Sequence, residues 1–327
     1  MHAASISPNA TPLRPAPPRS APLRPTSLHP QNLIATKSPS STVFVFDVAQ
    51  HGALAADSVS KPQFRCLGHT QEGYGLAWSP HKEGRLVSGS HDKSICLWDV
   101  GRPGAAVDLQ PSLFIQEAHK GAVEDVDWHR SYDFLFGSVG DDRAVHLWDC
   151  RTEPKSASNT IVDAHAGDAH CLSFNHYSEF LLATGGADKC VCLWDLRKLK
   201  ERVHKFEGHE GEVMSVAWSP FGALTLASGG SDRKVVVWDV DKIGKEQSAE
   251  DAEDGPPELF FSHGGHTARV SELSWNTNEE YVFASVDEDN SLQVWQMVRR
   301  VYACACAWAR SFACACLCAG EGRGGGF

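Results

Sequence analysis

One frame of His, hydroxyl, Asp and Trp recurs five times in this chain, and it limits the possible folds more than any other feature. The frame opens at His69, His119, His165, His209 and His266 and closes 29 residues later at Trp98, Trp148, Trp194, Trp238 and Trp295. An Asp stands 23 residues after each His, at Asp92, Asp142, Asp188, Asp232 and Asp289. A hydroxyl stands 19 after it, at Ser88, Ser138, Thr184, Ser228 and Ser285. An aromatic ring stands 9 after it, at Trp78, Trp128, Phe174, Trp218 and Trp275. Five copies in one phase make this a repeat protein.

Within a copy, short β-rich runs alternate with turn residues: Gly75–Trp78, Arg85–Ser88 and Ser94–Trp98 are separated by Ser79-Pro80 and His91-Asp92. The spacer after each Trp is long enough for one further strand. A lone four-stranded sheet of this size cannot bury both faces, whereas sheets stacked face to face around an axis can. The pattern matches the WD-type repeat, so the predicted fold class is all-β, a WD-repeat β-propeller with disordered N- and C-terminal extensions. In that setting the His, hydroxyl, Asp and Trp are expected to form a buried hydrogen-bond chain, because buried polar groups require partners.

Ser88, His69 and Asp92 also have the chemistry of a hydrolase triad. A catalytic triad has no reason to recur five times at fixed offsets, and a network stapling each blade does. The chain carries no nucleophile elbow, phosphate-binding loop or HExxH pattern. No catalytic residue and no cofactor are expected.

Residues 1–30 hold eight of the seventeen prolines, and the first acidic residue is Asp47. This Pro-rich segment is expected to be a disordered extension. The repeat domain is assigned to 31–297. Phe46-Asp47 takes the place of a Trp-Asp pair, and 29 residues before Phe46 stands Pro17 rather than a Gly-His. The register therefore gives a partial blade at 31–48, followed by full blades near 69–99, 119–149, 165–195, 209–239 and 266–296. Successive frame histidines are 50, 46, 44 and 57 residues apart, and the longest gap accommodates an acidic loop at 242–264. Between Glu246 and Glu258 six of thirteen residues are acidic and none is basic. Leu259, Phe260 and Phe261 follow directly, so negative charge adjoins apolar anchors, a combination suited to a basic amphipathic helix.

The tail at 298–327 packs Cys304, Cys306, Cys314, Cys316 and Cys318 into fifteen residues without a His or a CxxC frame, and reads as a Cys/Gly-rich low-complexity segment with no metal site. The other six cysteines are scattered over the blades, as reduced core thiols of an intracellular protein would be. Residues 31–297 carry 40 Asp and Glu against 23 Lys and Arg. A field of that sign attracts basic partners and repels nucleic acid. Direct DNA binding is not expected, and no apolar run is long enough to span a bilayer.

The words between the landmarks are more specific. EGYGLAWSP (72–80), VEDVDWH (123–129), LFGSVGDD (135–142), CLSFNHYSEFLLATGGADK (171–189), EDAEDGPPELFF (250–261) and HGGHTARVSELSWN (263–276) together resemble the retinoblastoma-binding, MSI-type histone-binding WD-repeat proteins. The resemblance implies a non-enzymatic nuclear protein: a seven-bladed histone-binding subunit of chromatin assembly, Polycomb, deacetylase or remodelling complexes. It implies two binding surfaces. An acidic top face for histone tails maps onto Glu72, Tyr74, Glu124, Asp141, Glu212 and Glu288. A side pocket for a histone helix maps onto Glu250, Asp251, Glu253, Asp254, Leu259 and Phe260. The chain departs from the family at residues 1–28, where the family's N-terminal helix, first blade and half of its second have no counterpart. His170 and Met214 also stand where members usually carry Asn and an aromatic.

Two other readings remain open. Trp148-Asp149-Cys150-Arg151 and Trp194-Asp195-Leu196-Arg197 resemble the docking boxes of substrate receptors of cullin-type ubiquitin ligases, which would assign adaptor contacts to Arg151 and Arg197. An Arg in this place is also a common strand cap in propellers. The odd ends are alternatively those of a truncated product without function.

Overall fold

The structure is a computed structural model that describes residues 4–6, 32–50, 61–102, 107–151, 156–249, 251–253, 255–299 and 312–316. Among these the regular structure is β-strand with a few short 3₁₀ turns, and no helix is long and apolar enough to cross a membrane. The chain divides into two compact units, His2–Phe174 and Asn175–Phe327.

The first unit holds three antiparallel sheets. One runs Ala4–Ile6, Leu33–Lys37, Val43–Asp47, Phe64–Cys66, with Asp108–Leu109 added in parallel at its edge. The next runs Leu76–Trp78, Arg85–Gly89, Ile95–Asp99, Leu113–Ile115. The third runs Val123–Trp128, Leu135–Gly140, Val145–Asp149, Asn159–Ile161, and the strand Ala169–Phe174 ends the unit. The second unit opens with a ladder of Leu181–Gly186, Cys190–Asp195 and Arg202–Glu207. It continues with Val213–Trp218, Thr225–Gly230, Val235–Asp239, Leu259–His263, and then with Val270–Trp275, Val282–Asp287, Leu292–Arg299, Phe312–Cys316. This succession of four-stranded antiparallel sheets is β-propeller architecture.

Period-two alternation explains why the sheets stack. Leu86, Cys96 and Trp98 share one apolar cluster with Leu33, Ala35, Val43 and Val45 of the preceding sheet. Their chain neighbours Val87, Ile95 and Leu97 point the other way, into a cluster with Val123, Val126, Trp128 and Phe136 of the following sheet. Both faces are therefore buried, which is why Ile95–Trp98 reads as an unbroken apolar run rather than an alternating one. In the second unit Ala227, Val235 and Val237 meet Val270, Leu273 and Phe283 in the same manner. The sheets approach closely at Gly229, where an added Cβ would lie 2.7 Å from Val270 Cγ1.

Two strands lie in stretches expected to be disordered. Ala4–Ile6 pairs with Ile34–Thr36, and Phe312–Cys316 pairs with Trp295–Arg299, each supplying a fourth strand to its sheet. An edge strand presents a row of unpaired N–H and C=O groups, and any extended segment within reach can satisfy them. The segment expected as a partial blade thus lies within a five-stranded sheet. The remainder of 1–31 and of 300–327, including Cys304, Cys306 and Cys318, lies outside the described residues.

The predicted staple is present, with local corrections. His119 Nε2 lies 2.7 Å from Ser138 Oγ and its Nδ1 lies 2.8 Å from Asp142 Oδ1, while the Trp148 indole N–H donates to the same Ser138 oxygen at 2.8 Å. His209, Ser228, Asp232 and Trp238 repeat this arrangement, and Trp194 donates to Thr184 at 2.9 Å. His165 and Asp188 fall in different units. In the first copy Ser94 intervenes: His69 Nδ1 lies 2.8 Å from Ser94 Oγ, which donates in turn to Asp92. The Trp98 indole N–H finds no acceptor there among the described residues, contrary to the expected role of Trp98. In the last copy Asp289 is not the partner of His266. Asp287 takes that place at 2.8 Å, and Asp289 accepts from the Thr267 hydroxyl at 3.0 Å.

The same carboxylates also shape the hairpins. Asp92, Asp142, Asp188 and Asp232 each accept the backbone N–H two residues on, at Ser94, Ala144, Cys190 and Lys234. The residue between is left-handed, at Lys93, Arg143, Lys189 and Arg233. At Asp142 and Asp232 one side chain therefore both closes a turn and binds a His.

Candidate interaction site

Ser138, Ser228 and Ser285 are almost completely buried, and each oxygen bonds both a His and a Trp, so the triad-like geometry has no nucleophile open to a substrate. Chemistry that a partner could use lies instead at the start of the strand Val123–Trp128. The register there shifts between Val123 and Asp125, a β-bulge at Glu124 that turns this side chain out of the ladder. The same bulge recurs between Val213 and Ser215 and between Val270 and Glu272, which places Met214 and Ser271 at equivalent positions.

Glu124 joins a cluster within the first unit. Its carboxylate lies 3.5 Å from His91 Nε2, and the His91 ring meets Tyr74 edge-on at 5.3 Å. Tyr74 is half exposed. Burial, together with the carboxylates of Asp141 and Asp168 and a hydrogen bond to Asp141, pushes the Glu124 carboxyl up to about 7, with Lys37 acting against the shift. Lys37 is buried and donates to the Gly89 carbonyl. Burial lowers its ammonium to about 8, against the pull of Asp92, Cys96 and Glu124. The exposed Glu72 contributes its carbonyl, which accepts from the His91 N–H at 2.9 Å and the Ser90 hydroxyl at 2.8 Å.

Of the six top-face residues, Tyr74 and Glu124 thus meet His91, Asp141 bonds Glu124, and Glu72 is held alongside through its backbone. Glu212 and Glu288 belong to the second unit. The Glu212 carbonyl accepts from Ser231 N at 2.8 Å, as Glu72 does from His91, and the Glu288 carboxylate is ion-paired with Arg269. Sequence reasoning missed Lys37, His91 and Asp168, although two of them carry a signal in their spacing. Asp168 stands three residues after its frame His, as Glu72 and Glu212 do, and His91 stands 22 after its own, as Asp141 and Glu288 do. Lys37 lies outside every full copy of the frame and has no such marker. Not every acid faces a partner: Asp125 and Asp127 accept the backbone N–H groups of Leu172 and Phe174 and so join neighbouring strands.

The acidic loop carries a short 3₁₀ turn at Asp251–Glu253, all exposed, while Glu250 and Asp254 lie outside the described residues. The chain reverses at Gly255 and enters Leu259–His263, where a register shift makes Phe260 a bulge. Phe260 packs partly on the core of this unit beneath Lys242, whose Nζ is 5.3 Å from the ring centre. Glu258 is buried and held 2.9 Å from His204 Nε2.

Arg151 and Arg197 are both committed locally. Each guanidinium pairs with the Asp two residues earlier, Asp149 or Asp195, and rests over a phenyl ring, Phe134 at 3.7 Å or Phe180 at 4.4 Å. The six described blade cysteines are free thiols, and burial pushes Cys66 up to about 12 and Cys192 up to about 11, so neither is an activated nucleophile. Among the described residues one set of side chains has metal-ligand chemistry, His119, Asp142 and His146. Burial would raise the Asp142 carboxyl, but hydrogen bonds from His119 and His146 hold it well below the usual carboxylate range.

Residues 60–99, 110–149, 157–195, 200–239 and 257–296 match the family described as WD domain, G-beta repeat, and each match ends one residue past a frame Trp. WD-repeat propellers serve as non-catalytic platforms for protein–protein interaction. With more than half of its residues matched and its sheets stacked as described, the chain belongs to the WD domain, G-beta repeat family.

Proposed function

We propose that this WD-repeat scaffold is a histone-binding subunit of nuclear complexes that assemble or modify chromatin. The observation that carries the reading is the cluster of Glu124, Asp141 and Asp168, in which burial and like charge hold the Glu124 carboxyl up at about 7. A Lys or Arg side chain entering beside it would pair with carboxylates that now repel one another. The exposed ring of Tyr74 flanks the cluster and offers the aliphatic stem of such a side chain an apolar surface. Exposed Asp251 and Glu253, close in sequence to the partly buried Leu259 and Phe260, suit a second contact with a basic helix.

Fluorescence anisotropy with labelled histone-tail peptides tests the reading on the full chain. Wild type should bind at moderate ionic strength, with affinity falling as salt rises. Glu124→Gln combined with Asp141→Asn should weaken binding by about tenfold or more. Absence of binding to any core-histone tail or histone dimer by the wild-type chain would overturn it.

A further inference from the structure

The strand Val145–Asp149 carries a second imidazole beside the His–Asp pair of its own blade. His146 Nε2 lies 3.9 Å from Asp142 Oδ2, the His119 and His146 ring centres are 4.3 Å apart, and one ligand atom from each of His119, Asp142 and His146 falls within 4.8 Å of the others. Positions equivalent to His146 hold Cys96, Cys192, Val236 and Gln293 in the other copies, so the second His is not required by the repeat.

We propose that His119, Asp142 and His146 form a binding site for a divalent transition-metal ion of the zinc class. Two imidazoles and a carboxylate suit such an ion, with bonds of about 2.0–2.2 Å that place tetrahedral ligand atoms about 3.3–3.4 Å apart. The present separations, 2.8 Å from His119 Nδ1 to Asp142 Oδ1 and 3.9 Å from His146 Nε2 to Asp142 Oδ2, bracket that spacing. Each imidazole is already oriented by a hydroxyl on its far nitrogen. His119 Nε2 lies 2.7 Å from Ser138 Oγ, and His146 Nδ1 lies 2.9 Å from Thr160 Oγ1. That is the outer-sphere arrangement which sets the tautomer of a metal-bound histidine. The Asp142 carboxylate is further held by the backbone N–H groups of Lys120 and Ala144. His119 is buried, while Asp142 and His146 keep some exposure, which leaves the ion a route in and room for water or a partner's side chain as a fourth ligand. The ion would enter between His119 and Asp142 and replace their hydrogen bond, with the single ring proton of neutral His119 carried on Nε2, where it donates to Ser138 Oγ.

Cobalt(II) titration of the metal-free full chain, followed by visible absorption and repeated in competition with zinc, tests the site. Wild type should take up one equivalent with ligand-field bands and no thiolate charge-transfer band, which separates this site from the cysteines of the tail. His146→Gln should lose that equivalent, weakening it by tenfold or more, and Thr160→Val should weaken it by about tenfold. Gln occupies the equivalent place at Gln293, so the metal-free variant should melt as wild type does. An unchanged affinity and spectrum in His146→Gln, or uptake showing only the thiolate spectrum, would overturn the assignment.

Discussion

His266 Nδ1 meets Asp287 Oδ2 at 2.8 Å, while Asp289, which holds the frame position, binds the hydroxyl of Thr267. Asp287 is fully buried and also accepts the N–H of Ser291, so its removal strands a buried imidazole and an open turn. Asp287→Ala is expected to cost about 2–4 kcal/mol and Asp289→Ala less than about 1 kcal/mol. Urea unfolding of the two variants side by side checks the order, and equal losses would contradict the assignment.

Ser138 joins His119 to Trp148, whereas Ser88 bonds His69 but receives nothing from the Trp98 indole. Ser138→Ala should therefore destabilise the chain by about 2–3 kcal/mol and Ser88→Ala by about 1 kcal/mol. Differential scanning calorimetry of the pair reads the difference directly. A larger loss at Ser88 would show that the first copy is stapled as the others are.

Glu124 makes the chain less stable as pH rises. Its folded value, about 7, lies above the ordinary Glu value, so the folded state binds the extra proton. The resulting stabilisation is complete below the unfolded value and is lost as pH climbs to about 7. Glu124→Gln should thus gain about 1–3 kcal/mol relative to wild type at pH 8 and little at pH 4. Denaturation midpoints at both pH values decide the matter, and a gain of equal size at each would exclude titration of Glu124 as the cause.

His69 and His119 act in the opposite direction. Burial lowers both, against the opposing pull of the Asp92 and Asp142 carboxylates, so the unfolded chain takes up protons first as pH falls below the ordinary His value. Stability should decline on acidification from pH 7 toward pH 5. His119→Asn should flatten that decline while lowering stability at pH 7, as thermal midpoints across the range would reveal.

Gly229 lies where two sheets approach, with Val270 Cγ1 2.7 Å from where its Cβ would stand. Gly229→Val should cost about 1–3 kcal/mol through overpacking, and Gly229→Ala less. Chemical denaturation of the two variants tests the steric order. Equal midpoints would mean that the sheets separate without cost.

Much of this was legible in the chain. Offsets of 19, 23 and 29 residues from each His placed hydroxyl, carboxylate and indole in register, since a hairpin of fixed length brings fixed positions together. The sequence could not show that Ser94 intervenes between His69 and Asp92, or that Asp287 replaces Asp289, because both depend on which polar atom lies nearer in the folded turn. The bulge at Glu124 was equally hidden: one extra residue in a strand leaves no mark in an apolar pattern, yet it turns the side chain toward His91 and Asp141.

The sequence alone therefore determined the family of fold and the residue types of the staples at His119 and His209, since periodicity is a property of order along the chain. Tertiary structure alone decided which charges became neighbours. Lys37 and Glu124 are far apart in sequence, and each shifts the other's titration only because the stacking of sheets brings both out of water. His146 acquires ligand geometry in the same way: only the closure of its hairpin sets it against Asp142 and His119.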